Sequence, residues 1–269
     1  MKKILYVATE ALPFASSGGL GDVIGSLPLA VKKASPDDDV RVVLPLYRAV
    51  SDAWRAQMTK VYEGEISLAW RRQYCGIYSL VKDGVTYYFV DNKYYFDRET
   101  LYGFGDEGER FAFFSRAILE MLPYIDFHPD IIHANDWQTA LVPVYYSLFY
   151  ANRDGYRNIK TLYTIHNIQY QGQYSMDILG DVFGLPYDAA SLVEMDGCIN
   201  LMKAAIECAD RVTTVSPRYA EEIRTAAYAH GLESALNMHA GKLSGILNGI
   251  DYNYYDPKTD KAIASKFTS

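Results

Sequence analysis

ILYVATEALPFASSGGLGDVI, residues 4–24, is the stretch that decides how this chain folds. Its first five residues, Ile4 to Ala8, are apolar on both faces, as a central strand of a parallel sheet requires. Thr9, Glu10 and Pro13 form a turn. Ser16-Ser17-Gly18-Gly19-Leu20-Gly21-Asp22-Val23 follows, and then apolar residues at helical spacing: Leu20, Ile24, Leu27 and Val31. Glycines between a strand and a helix let backbone N–H groups come close to a ligand, and the positive end of the helix favours an anion there. The simpler reading is a tight turn. The loop is not a dinucleotide fingerprint: counted from Gly19, Ile24 stands where the last glycine belongs, and counted from Gly18 the pattern fails at Leu20. It also lacks a Walker lysine. Pro28, inside the helical pattern, should kink or loosen the helix.

Outward from this stretch, Val40 to Leu44 reads as a second strand, so residues 4–44 form one β-α-β unit. Val61 to Trp70, Gln73 to Val81 and Val85 to Val90 read as three strands, the last two joined by an Asp83-Gly84 hairpin. They form an antiparallel excursion from the parallel sheet. Residues 92–108 form a long loop rich in aromatic residues, of a length usually functional or mobile. Phe111, Phe114, Ile118, Leu119 and Leu122 mark one face of a helix. Strands at Ile131–His133, Ile159–Ile165, Arg211–Val215 and Leu243–Leu247 alternate with helices at Trp137–Tyr150, Ile199–Cys208 and from Ser216-Pro217, an N-cap followed by proline at N1. The fold class is therefore α/β, a Rossmann-like, doubly wound and mainly parallel sheet with right-handed crossovers.

The 269 residues suffice for one large domain or two small ones. A net charge of −7 argues against a nucleic-acid partner, which would call for a basic surface. Cys75, Cys198 and Cys208 lack metal-ligand spacing and read as buried packing residues. No apolar run reaches membrane-spanning length, and Glu10 interrupts the only stretch resembling a signal peptide. The reading is a soluble, cytoplasmic protein. The 24 tyrosines suit a carbohydrate-handling surface or tyrosine-rich packing.

In a doubly wound sheet, ligands lie beyond the carboxyl ends of the strands. Five polar segments follow strands directly: Glu10 with the glycine loop, His133-Ala134-Asn135-Asp136-Trp137, His166-Asn167-Ile168-Gln169-Tyr170, Ser216-Pro217-Arg218 and Asn248-Gly249-Ile250-Asp251. Together they predict a binding crevice at one sheet edge, with Asp22, Asp136 and His166 facing it. Each has a plainer reading. His133 suits a structural role at the end of a buried strand. Asp136 is either a cleft residue or the N-cap of the helix at Trp137. Glu107 and Glu109 favour the dipole of a helix start. Ser216 reads as a cap, since the nucleophile elbow is missing.

At this point the chain resembles the N-terminal catalytic domain of the bacterial glycogen synthase family, the ADP-glucose type related to plant starch synthases. ATEALPFASSGGLGDVIGSLP (8–28), LYGFGDEGERFAFFSRA (101–117), HANDWQTA (133–140), TIHNIQYQG (164–172), TVSPRYAEEI (214–223) and GILNGID (245–251) carry the resemblance, in family order. It implies half of a GT-B glycosyltransferase, in which two Rossmann-like domains face each other across a cleft. It implies transfer of glucose from ADP-glucose to the non-reducing 4-OH of an α-1,4-glucan, with retention and without metal or cofactor. By motif position, Gly18, Gly19, Asp22 and Asn248 would bind the donor. His166 would bind the donor glucose and, with Asp136, be catalytic. Trp137, Gln138, Asn167 and Tyr94 or Tyr95 would line the acceptor cleft.

Two departures stand out. The family often has Lys-Thr before Gly-Gly-Leu, where this chain has Ser16-Ser17, and tryptophan where this chain has Tyr255. Residues 1–257 are expected to form the acceptor-side domain, and 258–269 to begin a linker to a C-terminal nucleotide-binding domain that is the partner half. The alternatives are a stand-alone glucan-binding module or another sugar-nucleotide enzyme of the GT-B type.

Overall fold

The computed structural model describes residues 1–252 and 254–268; Ser269, the last residue of the expected linker, lies outside the described residues. The strands are β1 (Lys3–Val7), β2 (Asp39–Pro45), β3 (Thr59–Leu68), β4 (Arg71–Lys82), β5 (Val85–Asp91), β6 (Ile131–Asn135), β7 (Lys160–Ile165), β8 (Gln173–Ser175), β9 (Glu194–Met195), β10 (Cys198–Asn200), β11 (Arg211–Thr214) and β12 (Leu243–Gly245). The α-helices are α1 (Gly19–Ala34), α2 (Asp52–Arg55), α3 (Lys93–Phe96), α4 (Glu107–Met121), α5 (Leu141–Tyr145), α6 (Ala190–Val193), α7 (Leu201–Cys208), α8 (Pro217–Glu222) and α9 (Glu233–Met238).

Among the described residues, nine strands form one sheet in the order β12-β11-β7-β6-β1-β2-β5-β4-β3. β1 pairs in parallel with β2 on one side and β6 on the other, so the strand order reverses there. That reversal opens a crevice at the carboxyl ends of β1 and β6. β4 pairs antiparallel with both β5 and β3, which confirms the antiparallel excursion. The doubly wound expectation holds, and the alternation along β1 shows why. Leu5 and Val7 enter the core cluster with Val43 and the helix residues Phe111, Phe114, Ile118, Leu141 and Ile206, whereas Tyr6 and Ala8 enter a second cluster with Val42, Leu20 and Ile24. A strand buried on both faces needs helices on both, which the apolar faces of α1 and α4 supply.

Several segments differ from the sequence reading. α1 runs through Pro28 without ending, and the proline is buried. Residues 137–150 are not one α-helix but a 3₁₀ turn (Trp137–Thr139), α5 and a π turn (Tyr146–Tyr150). Pro143 has no N–H to give to Thr139, which breaks the ladder there. Ile199 belongs to β10, and α7 starts only after Asn200, whose Oδ1 accepts from Lys203 N at 3.0 Å. Cys75 alone is fully buried; Cys198 is exposed and Cys208 intermediate.

Residues 92–108 are not an open loop. Asn92 caps the one-turn helix α3, accepting from Tyr95 N at 3.0 Å. The buried Arg110 then donates from Nε to Tyr95 O at 2.8 Å and from both terminal nitrogens to Leu101 O at 3.3 Å. Arg98 closes the segment on Asp106. Among the described residues, no helix is long and apolar enough to cross a membrane.

Candidate active site

At the predicted edge lies a cavity of about 680 Å³, lined by segments that follow β1, β6, β7 and β11. Of the residues expected at the site, Gly18, Gly19, Asp136, Trp137, Gln138, His166, Asn167 and Asn248 all line it. Three do not. Asp22 sits in the first turn of α1 outside the lining and accepts from Tyr255 OH at 2.9 Å, which gives the residue at the family's tryptophan position a polar contact. Tyr95 is fully buried, its hydroxyl donating to Glu109 Oε1 at 2.5 Å. Tyr94 is exposed, away from the cavity lining. One helical turn at residues 93–96 sends Tyr95 and Phe96 into the core, so the aromatic wall belongs to Tyr102 instead.

The sequence reading did not single out Tyr102, and it placed Glu10 at the crevice with the glycine loop but gave it no role there. Glu10 is almost wholly buried. Its carboxylate accepts from Ser17 N at 2.5 Å, Gly18 N at 3.1 Å, Ser17 Oγ at 2.9 Å and Tyr102 OH at 2.8 Å. The protein's own carboxylate thus fills the anion nest of the glycine loop. Gly19 and Leu20, which open α1 and line the cavity, keep first-turn N–H groups that have no partner within the helix. The lining holds three carboxylates, of Glu10, Glu107 and Asp136, and no lysine or arginine among the described residues. Glu107 Oε1 accepts from Gly103 N at 2.5 Å, tying the Tyr102 segment to the start of α4.

Asp136 stands at the N-cap position of the Trp137–Thr139 turn, but its carboxylate does not cap it. The Asp136 backbone has φ of 59°, a left-handed value that costs a non-glycine residue about 1–3 kcal/mol. The carboxylate instead reaches across to β7's end and accepts from His166 N at 2.8 Å and Asn167 N at 3.3 Å. Burial pushes the Asp136 carboxyl above the ordinary carboxylate range, opposed by His166 and by these two N–H groups.

Asn135, part of the expected crevice segment but given no role of its own, fixes the imidazole. Its Nδ2 donates to Val7 O at 3.1 Å and His133 O at 3.0 Å, so the amide orientation is set by two carbonyls. Oδ1 therefore faces His166 Nε2 at 3.0 Å. This network assigns the proton to Nε2 and leaves Nδ1 as the acceptor of the neutral ring. Burial holds the His166 pKa below the usual imidazole value, with Asp136 opposing, so the ring is neutral at pH 7. The signal for Asn135 was its place in the His-Ala-Asn-Asp-Trp run. Gln138 Oε1 is buried without a hydrogen-bond partner among the described residues, an acceptor available to a ligand. Among those residues no group of three or more His, Cys, Asp or Glu could hold a metal ion.

His133 has the structural role expected. Its ring lies 4.9 Å from that of Tyr6, and Nε2 meets Thr164 Oγ1 at 2.6 Å. Burial, aided by the His166 charge, pushes its pKa down to about 3. The unfolded chain, with an ordinary histidine near pH 6.5, takes up this proton first. The stabilisation is complete above about pH 6.5 and is lost as pH falls toward 3, at about 1.4 kcal/mol per pH unit. His133→Gln removes that titration. Urea unfolding between pH 6 and 4 should show the variant's stability falling less steeply by about this slope; parallel slopes would mean that His133 titrates alike in both states.

The starch synthase catalytic domain family profile matches residues 3–238. The chain is 48% identical over 270 residues to the glycogen synthase of Ligilactobacillus salivarius, covering 99% of this chain and 56% of that protein. It is 46% identical over 267 residues to that of Clostridioides difficile, covering 97% and 55%. Its fold superposes with a TM-score of 0.88, at 34% identity, on the catalytic domain of starch synthase IV from Arabidopsis thaliana bound to ADP and acarbose, over 99% of this chain and 55% of that one. The chain spans about half the length of the curated relatives it matches. With a matching profile over most of its residues and a shared fold, the chain belongs to the starch synthase catalytic domain family.

Proposed function

We propose that this chain is the acceptor-side half of a retaining GT-B glucosyltransferase, which moves glucose from ADP-glucose to the non-reducing 4-OH of an α-1,4-glucan in the cytoplasm. The observation that carries the reading is the convergence, in one cavity, of a helix N-terminus, a neutral oriented imidazole and the aromatic rings of Trp137 and Tyr102. The relatives' names support the reaction, and the starch synthase IV structure, bound to ADP and acarbose, supports the ligand classes.

In this reading the bond from glucose C1 to the diphosphate oxygen breaks as C1 bonds to the acceptor 4-oxygen on the same face. The acceptor proton passes to the leaving diphosphate. His166 Nδ1 accepts from a hydroxyl of the donor glucose and holds the ring while positive charge develops at C1. The strained Asp136 backbone places His166 and adds negative charge beside that centre. Gly18 and Gly19, with the first turn of α1, stand near the diphosphate, and Asn248 borders the donor side. Trp137, Gln138 and Asn167 receive the glucan end, with the unpaired Gln138 Oε1 accepting from one of its hydroxyls.

The lining's lack of lysine and arginine has a consequence. With Ser16 where relatives of this type often carry lysine, the diphosphate's cationic partners come from a second domain. We accordingly read residues 1–257 as one domain and the segment beyond as the start of the linker to its C-terminal partner. The 269-residue chain, given labelled ADP-glucose and glycogen, should incorporate no label, because the donor is not positioned and water is not excluded. The same assay on a protein extended to the relatives' length should show transfer. Comparable incorporation by the shorter chain would mean that the catalytic site is complete within it.

A further inference from the structure

Glu10, just beyond β1, ties the end of that strand to the glycine turn and to Tyr102. Its Oε2 accepts from the successive backbone N–H groups of Ser17, at 2.5 Å, and Gly18, at 3.1 Å. Its Oε1 accepts from Ser17 Oγ at 2.9 Å and from Tyr102 OH at 2.8 Å. Two neighbouring N–H groups turned toward one oxygen are an arrangement that commonly holds a phosphate. What they hold here is a side chain of the same protein, on a residue only 4% exposed. On the far side of the turn, Ser16 Oγ donates to Gly18 O at 3.2 Å and covers Gly21, where an added Cβ would stand 2.2 Å from it. Ser16 thus lies against α1 and does not line the cavity.

The turn needs such a hold. Gly18 and Gly19 have the most backbone freedom to lose, and Gly18, the residue before α1, is extended at φ −169° and ψ −165° with no side chain to cap the helix. A Cβ added to either glycine would meet nothing within 4 Å, so packing does not fix them. Both line the cavity. We propose that Glu10 is a positioning residue that permanently occupies the anion nest of the glycine turn, so that the donor's diphosphate meets the Gly19 and Leu20 N–H groups at the start of α1 and not the nest. The inference takes its donor from the transferase reading of the cavity; the filled nest stands on the geometry alone. The turn is then ordered before the donor arrives, and donor binding does not bear that entropic cost. A carboxylate beside the start of α1 is also favoured by the helix dipole. Through Tyr102 OH, which also meets Thr9 Oγ1 at 2.8 Å, the same carboxylate fixes the aromatic wall.

The test is thermal melting of the 269-residue chain with and without formate, which has the head group of Glu10, beside steady-state kinetics of a protein extended to the relatives' length. Glu10→Ala empties the nest, so formate should raise its melting temperature by several degrees and leave the wild type, whose nest is filled, unshifted. In the extended protein Glu10→Ala should raise the KM for ADP-glucose about tenfold with a much smaller change in kcat, and formate should restore it. Glu10→Gln should keep a KM close to that of the wild type: its amide oxygen accepts from both N–H groups, and its NH2 group donates to Ser17 Oγ and Tyr102 OH. A Glu10→Ala chain that folds only with formate supports the filled nest. Three results would overturn it: Glu10→Ala that formate does not stabilise, folded or not; a wild type that formate stabilises equally; or a KM for ADP-glucose that Glu10→Ala leaves unchanged. Failure of the transferase reading shows separately, as an extended protein that transfers no glucose from ADP-glucose even though formate stabilises Glu10→Ala alone.

Discussion

His166→Ala, in a protein extended to the relatives' length, is expected to lower kcat by about 10²–10³-fold, the scale of removing one preorganised hydrogen-bonding group from a reacting centre. The fold should survive. Asp136 holds this position through the backbone N–H groups of residues 166 and 167, which alanine retains. What disappears is the Nδ1 acceptor that Asn135 orients through Nε2. The loss should fall on kcat more than on the KM for ADP-glucose, with an unchanged melting temperature. The wild-type pH profile should agree: burial lowers the His166 pKa, so the acid limb of kcat/KM should begin below pH 6.5, the ordinary histidine value. Near-normal turnover in the variant would reduce His166 to a packing partner of Asn135.

Arg110→Ala should cost about 3–5 kcal/mol of stability, from the lost packing of a large buried side chain and the buried carbonyls left without their donors. Arg110 is fully buried, stacks on Phe104 and Phe111, and supplies the donors to Tyr95 O and Leu101 O. Alanine leaves these carbonyls without those donors and opens a void beside α4. The consequence reaches the cavity, because the segment Arg110 holds also carries Tyr102 to Glu10. Tyr102→Phe separates the two effects: it removes the hydroxyl's bonds to Glu10 and Thr9 but keeps the packing, and should cost about 1–3 kcal/mol. Urea unfolding of both variants measures this. A cost under about 1 kcal/mol for Arg110→Ala would show that packing and the Arg98–Asp106 pair hold the segment unaided.

The strands and polar turns were legible because they are local. Short apolar runs placed β1 and β2, period-3.6 spacing placed α1, and the Asp83-Gly84 turn placed the β4–β5 hairpin. Strand-then-polar-turn units brought Gly18, Asp136, His166 and Asn248 to one edge, since every parallel strand ends there. Side-chain direction in residues 92–108 was not legible. A loop has no period, so nothing in the sequence told Tyr94 and Tyr95 from Tyr102; a single helical turn capped by Asn92 decided it. Asp136 had an open choice between capping its own helix and reaching elsewhere. The left-handed backbone made that choice by turning its carboxylate toward β7.

By itself, then, the sequence determined the doubly wound sheet, the edge at which a ligand is received and the polar residues delivered there, because these follow from backbone sterics and apolar periodicity over a few residues. Only the tertiary structure decided how those residues are wired. Glu10 meets Tyr102 across 92 positions, and His166 meets Asn135 across 31. Each of these bonds depends on the packing of separate strands and helices, which fixes distances that no local pattern encodes. The same packing fills the glycine loop's nest with Glu10 and makes a neutral, singly oriented imidazole out of a histidine at a strand end.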